Sequence, residues 1–387
     1  MFYNRVMNTI DRLQLISPEM HLEADSENEC QPIFLGEQSE DLPITEAVMP
    51  NGKRIKLLKT MVTSACERNC YYCPFRAGRD MPRATFSPDE LARTYMQLYY
   101  SKAVEGLFLS SGIIGGGIRI QDLIIDTADI LRNKFKYRGY MHVKIMPGAE
   151  KDQVMRAMQL ASRVSINLEA PNTEKLQQLA PRKTFLDELL QPLIWAKEIR
   201  KNLSPHKTWN GFWPSSATQF VVGAVDETDL ELITTSEKLF SQVGLKRIYY
   251  SKFNPIENTP LENHPPENPW RQHRLYQSSY LLRDYGFTLE ELPFNIDGNL
   301  PLESDPKLLW AQKNLLHNPI EINSADKETL IRIPGIGLKN AETIIAARKQ
   351  RKLQNSHQLM SLGILLKRAA PFILLNGKKP SHQLRLI

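Results

Sequence analysis

Three of the chain's four cysteines fall within eight residues, in Cys66-Glu67-Arg68-Asn69-Cys70-Tyr71-Tyr72-Cys73. Such a C-x3-C-x2-C array brings three thiolates to one soft metal centre, and sulfur donors select iron–sulfur clusters, zinc or Cu(I). Three thiolates hold three irons of a cubane and leave the fourth iron an open position. A closed zinc site wants four ligands, and the other donors are far off in sequence. Cys30 and His21 lie upstream and His142 lies well downstream. Zinc is the alternative reading of the array, and Cys30 reads as a structural or incidental thiol.

A second stretch carries different chemistry. Residues Leu330-Ile331-Arg332-Ile333-Pro334-Gly335-Ile336-Gly337-Leu338-Lys339-Asn340-Ala341 read as a helix, a tight turn and a second helix. Glycines at 335 and 337 permit positive φ in the hairpin. The N–H groups opening the second helix are then expected to point outward as a nest for a phosphate oxygen. The candidate contacts are Pro334, Gly335, Ile336, Gly337, Lys339 and Asn340, with Ala341 and Ile344 as the packing face. An ordinary helical hairpin with no binding role is the plain alternative.

Charge favours the binding role. From Glu321 to Ile387 there are twelve Lys/Arg against four Asp/Glu, a net of +8. The preceding 320 residues hold 37 basic and 39 acidic residues, a net of −2. All of the excess positive charge therefore sits at one end, as in a module appended for a polyanion.

The chain's 387 residues are enough for two or three domains, and 42% hydrophobic with 24% charged residues is an ordinary globular balance. No apolar run reaches membrane-spanning length. The start, MFYNRVMNTIDRLQLISPEM, lacks a signal-peptide h-region and reads as a short amphipathic helix. A cytoplasmic protein with no membrane partner is expected. Cysteines this few and this clustered do not make a disulfide framework.

The elements that position these residues follow from periodicity. After an irregular extension over 1–52, β-branched and apolar runs at Ile55–Thr63, Gly106–Ser111, His142–Met146, Val164–Glu169, Thr218–Val225 and Arg247–Phe253 read as strands. Helical stretches alternate with them at Ser87–Ser101, Ile120–Lys134, Glu150–Ala161, Asp187–Lys201 and Thr228–Gln242, with a last one at Arg271–Tyr285. Six such units predict an α/β fold with a parallel sheet, open rather than closed into eight. The domain would cover 53–289, a linker 290–318, and a small all-α domain 319–387. Gly115-Gly116-Gly117 lacks the order of a dinucleotide fingerprint and reads as a flexible loop.

The cysteine array, with Tyr72 in the aromatic position before Cys73, resembles the signature of the radical SAM superfamily over about Ile55–Tyr285. That resemblance implies a partial (β/α)6 barrel and a [4Fe–4S] cluster on Cys66, Cys70 and Cys73. It also implies S-adenosylmethionine on the open iron, cleaved by one electron to a 5′-deoxyadenosyl radical, and an electron donor such as flavodoxin or ferredoxin. Family positions carried over as cofactor contacts are Tyr72, then Ser110, Ser111 and Gly112 at the end of the second strand. Asn167 and Glu169 on the fourth strand and Gln219 on the fifth complete the set. Leu109-Ser110-Ser111-Gly112 departs from the usual Gly-Gly-Glu. Tyr249 and Tyr250 are expected to face the cavity as candidates for a radical relay, with an ordinary core role as the alternative. The tail, with Ile333-Pro334-Gly335-Ile336-Gly337, resembles the helix-hairpin-helix family, and a second degenerate unit stands at Leu359–Phe372 around Leu362-Gly363-Ile364. The two halves together resemble a bacterial family of radical SAM proteins linked to DNA modification and repair. That implies DNA as the partner and no identified catalytic base or radical-relay residue. Two readings compete: a radical SAM enzyme acting on RNA, and a non-radical DNA-binding protein with a structural or redox-sensing cluster.

Overall fold

The computed structural model describes residues 7–22, 42–48 and 52–380. Cys30 lies outside them. The chain divides into two compact units, one over 1–227 and 238–268 and the other over 228–237 and 269–387. Among the described residues no helix is long and apolar enough to cross a membrane.

The first unit opens with α1 (Thr9–Ile16), where Asn8 caps the helix by accepting from the Asp11 N–H. A seven-stranded sheet follows in simple chain order, from β1 (Ile44–Val48) through β2 (Arg54–Met61), β3 (Gly106–Ser110), β4 (Tyr140–Lys144), β5 (Arg163–Ser165) and β6 (Ser215–Val222) to β7 (Arg247–Lys252). β1 runs antiparallel to β2, and every later pair is parallel. Parallel neighbours need crossovers, supplied within this unit by α2 (Pro88–Tyr100), α3 (Gly117–Asp129), α4 (Lys151–Leu160) and α5 (Thr173–Leu179) with α6 (Gln191–Asn202), while α7 (Asp229–Lys238), which lies between β6 and β7 in the chain, falls almost wholly in the second unit. The sheet is open, with no β7–β1 pairing among the described residues. α2 begins as its sequence dictates: Pro88 occupies the first turn, and Ser87 and Glu90 form a reciprocal capping box.

The six expected strands are all present, within a few residues of their expected ends. The reading of 1–52 as irregular is corrected at β1. Five residues next to Pro43 give little periodicity, and only the pairing with β2 makes them a strand. Three expected helices are composites, with a π turn at Ile130–Lys134, Phe185–Leu190 and Leu239–Val243.

The second unit holds α8 (Pro269–Asp284), α9 (Pro306–Asn314), β8 (Ile320–Glu321), α10 (Lys327–Arg332), α11 (Leu338–Gln350), α12 (Ser356–Ser361), α13 (Leu366–Ala369) and β9 (Ile373–Leu374). Residues 290–318, expected as a linker, contain α9, capped by Asp305. Its Ala311 and the following Leu315 join Ile322, Leu330, Ile336, Ile344 and Phe372 in one apolar core. Helices as short as α10, α12 and α13 cannot bury a core among themselves, so preceding helices are recruited. The unit thus begins well before residue 319. It is also not purely helical, since β8 and β9 pair in parallel.

Two helix–turn–helix pairs, α10–α11 and α12–α13, make up its end. Gly335 (φ 84°) and Gly363 (φ 82°) both sit in the left-handed region their turns require. The turns bind each other: the Leu365 N–H donates to the Gly335 carbonyl at 3.2 Å, and Asn340 Nδ2 to the Gly363 carbonyl at 2.8 Å. Gly337 departs from expectation. At φ −97° it is extended backbone and caps α11 without needing positive φ.

Candidate active site

The cysteine loop leaves β2 and runs along the segment that follows β3. The Val62 N–H bonds the Ser110 carbonyl at 3.0 Å, Gly112 N–H the Thr63 carbonyl at 2.6 Å, and Glu67 N–H the Ile113 carbonyl at 2.6 Å. The approach is so close that a Cβ on Gly112 would lie 2.3 Å from the Ala65 carbonyl oxygen. Arg83 staples the loop from within, its guanidinium donating to the carbonyls of Ser64, Phe75, Arg76 and Arg79. Gly115 and Gly116 are not a free loop, since their N–H groups grip the Glu67 carboxylate.

These bonds turn Cys66, Cys70 and Cys73 toward one cavity at the C-terminal end of the strands. The backbone N–H of Ile113 donates to Cys66 Sγ at 3.4 Å, a bond that suits a metal-bound sulfur. Burial pushes the thiols of Cys70 and Cys73 up, so without a metal they hold their protons. Among the described residues no three His, Cys, Asp or Glu side chains converge on a single ion. Three thiols facing one cavity suit a multi-iron cluster.

Across the cavity stands a buried polar group. Lys183 Nζ donates to Glu169 Oε1 at 2.8 Å, with the side chains 9% and 3% exposed. Burial opposes the charge of Glu169, but Lys183 and Lys144 outweigh it and hold the carboxyl below its usual range. Tyr72 lies against the same carboxylate. Glu169 has a left-handed φ of 67°, rare for a residue with a side chain. Its Oε2 is buried without a hydrogen-bond partner and borders the cavity.

Of the sequence candidates, Tyr72, Ser111, Gly112, Asn167 and Glu169 line this cavity. Ser110 and Gln219 are buried in their strands but are not among the lining residues. Tyr249 and Tyr250 do not line it either. Tyr249 accepts from Arg163 inside the barrel, and Tyr250 packs near Phe220. Sequence reasoning missed Lys183, Arg83, Lys144 and Arg68. Lys183 comes from the loop after α5, which carries no motif; its only signal was a lysine near the end of a strand–helix unit.

The hairpin candidates are only partly exposed. Pro334 and Ile336 are buried, Asn340 is spent on Gly363, and Lys339 is exposed. The Leu338 N–H, expected to be part of an open nest, faces the Tyr285 hydroxyl. Lys307 Nζ donates to the Ile336 carbonyl at 2.7 Å.

The radical SAM superfamily matches residues 60–208. This part of the chain is a radical SAM domain. GTP 3′,8-cyclase of Aquifex aeolicus (strain VF5) is 23% identical over 153 residues, 38% of this chain and 46% of that protein. The chain thus matches less than half the length of that curated relative. Among solved structures, methylornithine synthase superposes with a TM-score of 0.46 at 14% identity, covering 59% of this chain and 61% of the other. The FeFe-hydrogenase maturase of Carboxydothermus hydrogenoformans gives 0.45 at 13%, covering 59% and 51%. The superfamily's cofactors are a [4Fe–4S] cluster and S-adenosylmethionine. The residues of this radical SAM site fit both: three thiols around a cavity for the cluster, and the orphaned Glu169 Oε2 with Asn167 for polar groups of the nucleoside.

Proposed function

We propose that this protein reductively cleaves S-adenosylmethionine and directs the resulting radical at a nucleic acid, DNA in the first place, held by its basic C-terminal hairpins. The observation that carries the reading is the set of three cysteines facing the Glu169–Lys183 pair across one cavity. When bound, the cluster supplies one electron to the sulfonium of S-adenosylmethionine, giving methionine and a 5′-deoxyadenosyl radical that takes hydrogen from substrate.

The chain's own residues prepare that chemistry. Cys66, Cys70 and Cys73 would hold three irons, and the Ile113 N–H stabilises charge on one sulfur. Glu169 Oε2, with Tyr72 beside the carboxylate, can accept from a donor such as a ribose hydroxyl, and Asn167 lines the same cavity just past the end of β5. Lys183 keeps Glu169 ionised and aimed. The electron would come from a small redox protein of the flavodoxin or ferredoxin class. Arg76 and Arg182 near the cysteine loop suit an acidic donor.

DNA is favoured by the charge at the chain's end and by the two hairpins with left-handed glycines, which match the helix-hairpin-helix pattern. Contacts of that kind go to phosphates, so RNA is the second reading. The test is anaerobic: reconstituted protein, dithionite and S-adenosylmethionine, with 5′-deoxyadenosine quantified with and without DNA or RNA. Iron near four per chain, loss of colour in each Cys→Ala variant, and stimulation by DNA are expected. A reconstituted cluster that yields no 5′-deoxyadenosine under any condition would falsify the enzymatic reading.

A further inference from the structure

Two segments far apart in sequence clasp each other beside the cysteines. The Tyr71 N–H donates to the Leu179 carbonyl at 2.8 Å, and Arg182 Nη1 to the Glu67 carbonyl at 3.1 Å. Arg68 answers from the cysteine loop, with one guanidinium nitrogen on the Arg182 carbonyl and another on the Glu188 carboxylate. These bonds bracket Lys183, whose own N–H donates to the Ala180 carbonyl at 3.0 Å. The lysine is therefore part of the wall that carries the cysteines. Its side chain is 9% exposed and lines the cavity together with Cys66, Cys70 and Cys73.

Its partner is held as firmly from the far side. The Glu169 N–H donates to the Gln219 carbonyl at 3.0 Å, and the Glu169 carbonyl accepts from the Val221 N–H at 2.8 Å. The two charges are not equivalent toward the sulfurs. Burial raises the Cys70 thiol most; against it Lys183 pulls down, by more than Glu169 adds. Cys73 feels Lys183 as well. For Lys183 itself burial opposes the charge, and Cys70 with Glu169 more than restores it. The pair is a buried dipole with its positive end toward the cysteines.

We propose that the Lys183–Glu169 pair sets the potential at which the iron–sulfur centre takes up its electron, with the ammonium as the end that favours reduction. This rests on the reading of the cysteine cavity as the cluster site. Reduction adds one negative charge there, and local charge, hydrogen bonds and solvent exposure are what tune such potentials. A cation held away from water acts on that charge with little screening. One electron passes from the external donor, a small redox protein or dithionite, which is oxidised. No bond forms or breaks, and neither Lys183 nor Glu169 changes its proton. Lys183 acts on the reaction only through the cluster, as a positioning residue. Arg83 also bears on Cys66 and Cys73, but it staples the loop, so removing it would move the sulfurs themselves.

The experiment is a potentiometric titration followed by electron paramagnetic resonance, on full-length reconstituted protein without S-adenosylmethionine. Leaving that ligand out keeps a change in its affinity from imitating a change in potential. Lys183→Met is expected to make reduction harder. At the wild-type midpoint its ratio of reduced to oxidised centre should fall about tenfold, which is about 59 mV for one electron. Glu169→Gln should move the midpoint the opposite way, because it leaves the ammonium uncompensated. Lys183→Arg should stay near wild type, and Lys53→Met, which breaks an exposed pair with Glu105, should change nothing. Loosened packing alone would shift Lys183→Met and Glu169→Gln in the same direction, and that result overturns the proposal. So does an unshifted midpoint in a Lys183→Met protein with full iron content. Should Lys183→Met lose its cluster, Glu169→Gln decides alone: an upward shift supports the proposal, and no shift or a downward one overturns it. If the wild-type protein reconstitutes no paramagnetic centre on reduction, the reading of the site fails and this inference falls with it. A centre that forms and cleaves S-adenosylmethionine, yet shows no shifts of opposite sign, overturns this inference only.

Discussion

Lys183 Nζ meets Glu169 Oε1 at 2.8 Å inside the cavity that the three cysteines border, although 14 residues and a helix separate them in the chain. The pair resolves a conflict. A carboxylate this buried would ordinarily take up a proton, and the ammonium beside it keeps it charged while its second oxygen stays available.

Breaking the pair leaves an uncompensated buried charge. Lys183→Met is expected to cost about 3–5 kcal/mol of stability and to weaken S-adenosylmethionine binding, with partial rescue in Lys183→Arg. Dialysis against labelled S-adenosylmethionine and thermal unfolding check this. Unaltered affinity in a folded Lys183→Met protein would remove the pair from the cofactor site.

Gly112→Ala tests the closeness of the cysteine loop to the end of β3. The added methyl would lie 2.3 Å from the Ala65 carbonyl, a backbone atom that cannot swing aside. The loop must shift, at about 1–3 kcal/mol, and Cys66 shifts with it. A folded variant with markedly reduced iron content is the expected outcome; full iron loading would show that the cysteines tolerate the displacement.

The hairpins separate folding from binding. At Gly335, φ is 84° and a Cβ would lie 2.7 Å from the Leu365 carbonyl, so Gly335→Ala should destabilise the second unit. Lys339 is exposed, and Lys339→Glu should leave the fold intact and flatten the salt dependence of DNA binding by about one unit of slope. Fluorescence anisotropy across a salt series measures it. An unchanged slope would take Lys339 off the phosphate backbone. Point variants serve better than truncation at Asn318, because that cut would strip Ala311 and Leu315 from the core.

Lys307 predicts a pH dependence. Burial, with Arg368 nearby, pushes its ammonium down to about 7. The unfolded chain then binds more protons between about pH 7 and the ordinary lysine value near 10. Stability of the second unit should rise with pH across that window and be flat with respect to this group below it. The change should be about 1–3 kcal/mol once partial exposure is discounted. Unfolding curves at several pH values would show the slope in wild type and its loss in Lys307→Met. The same slope in both would point to another group.

The sequence by itself determined the strand–helix alternation, because buried parallel strands write apolar runs and amphipathic helices write their own period. Ser87-Pro88-Asp89-Glu90 announced a helix start, and Cys66, Cys70 and Cys73 announced a soft-metal site by spacing alone. Only the tertiary structure decided what those cysteines face. Lys183 and Arg83 carry no local signal, since a buried cation is defined by the carboxylate or carbonyls that fold around it. β1 exists through its pairing with β2, and the supposed linker is helical because short hairpin helices need its apolar face. Register did the rest. Met61 and Lys144 lie in two separate strands, and a one-residue slip would turn either of them away from the cavity.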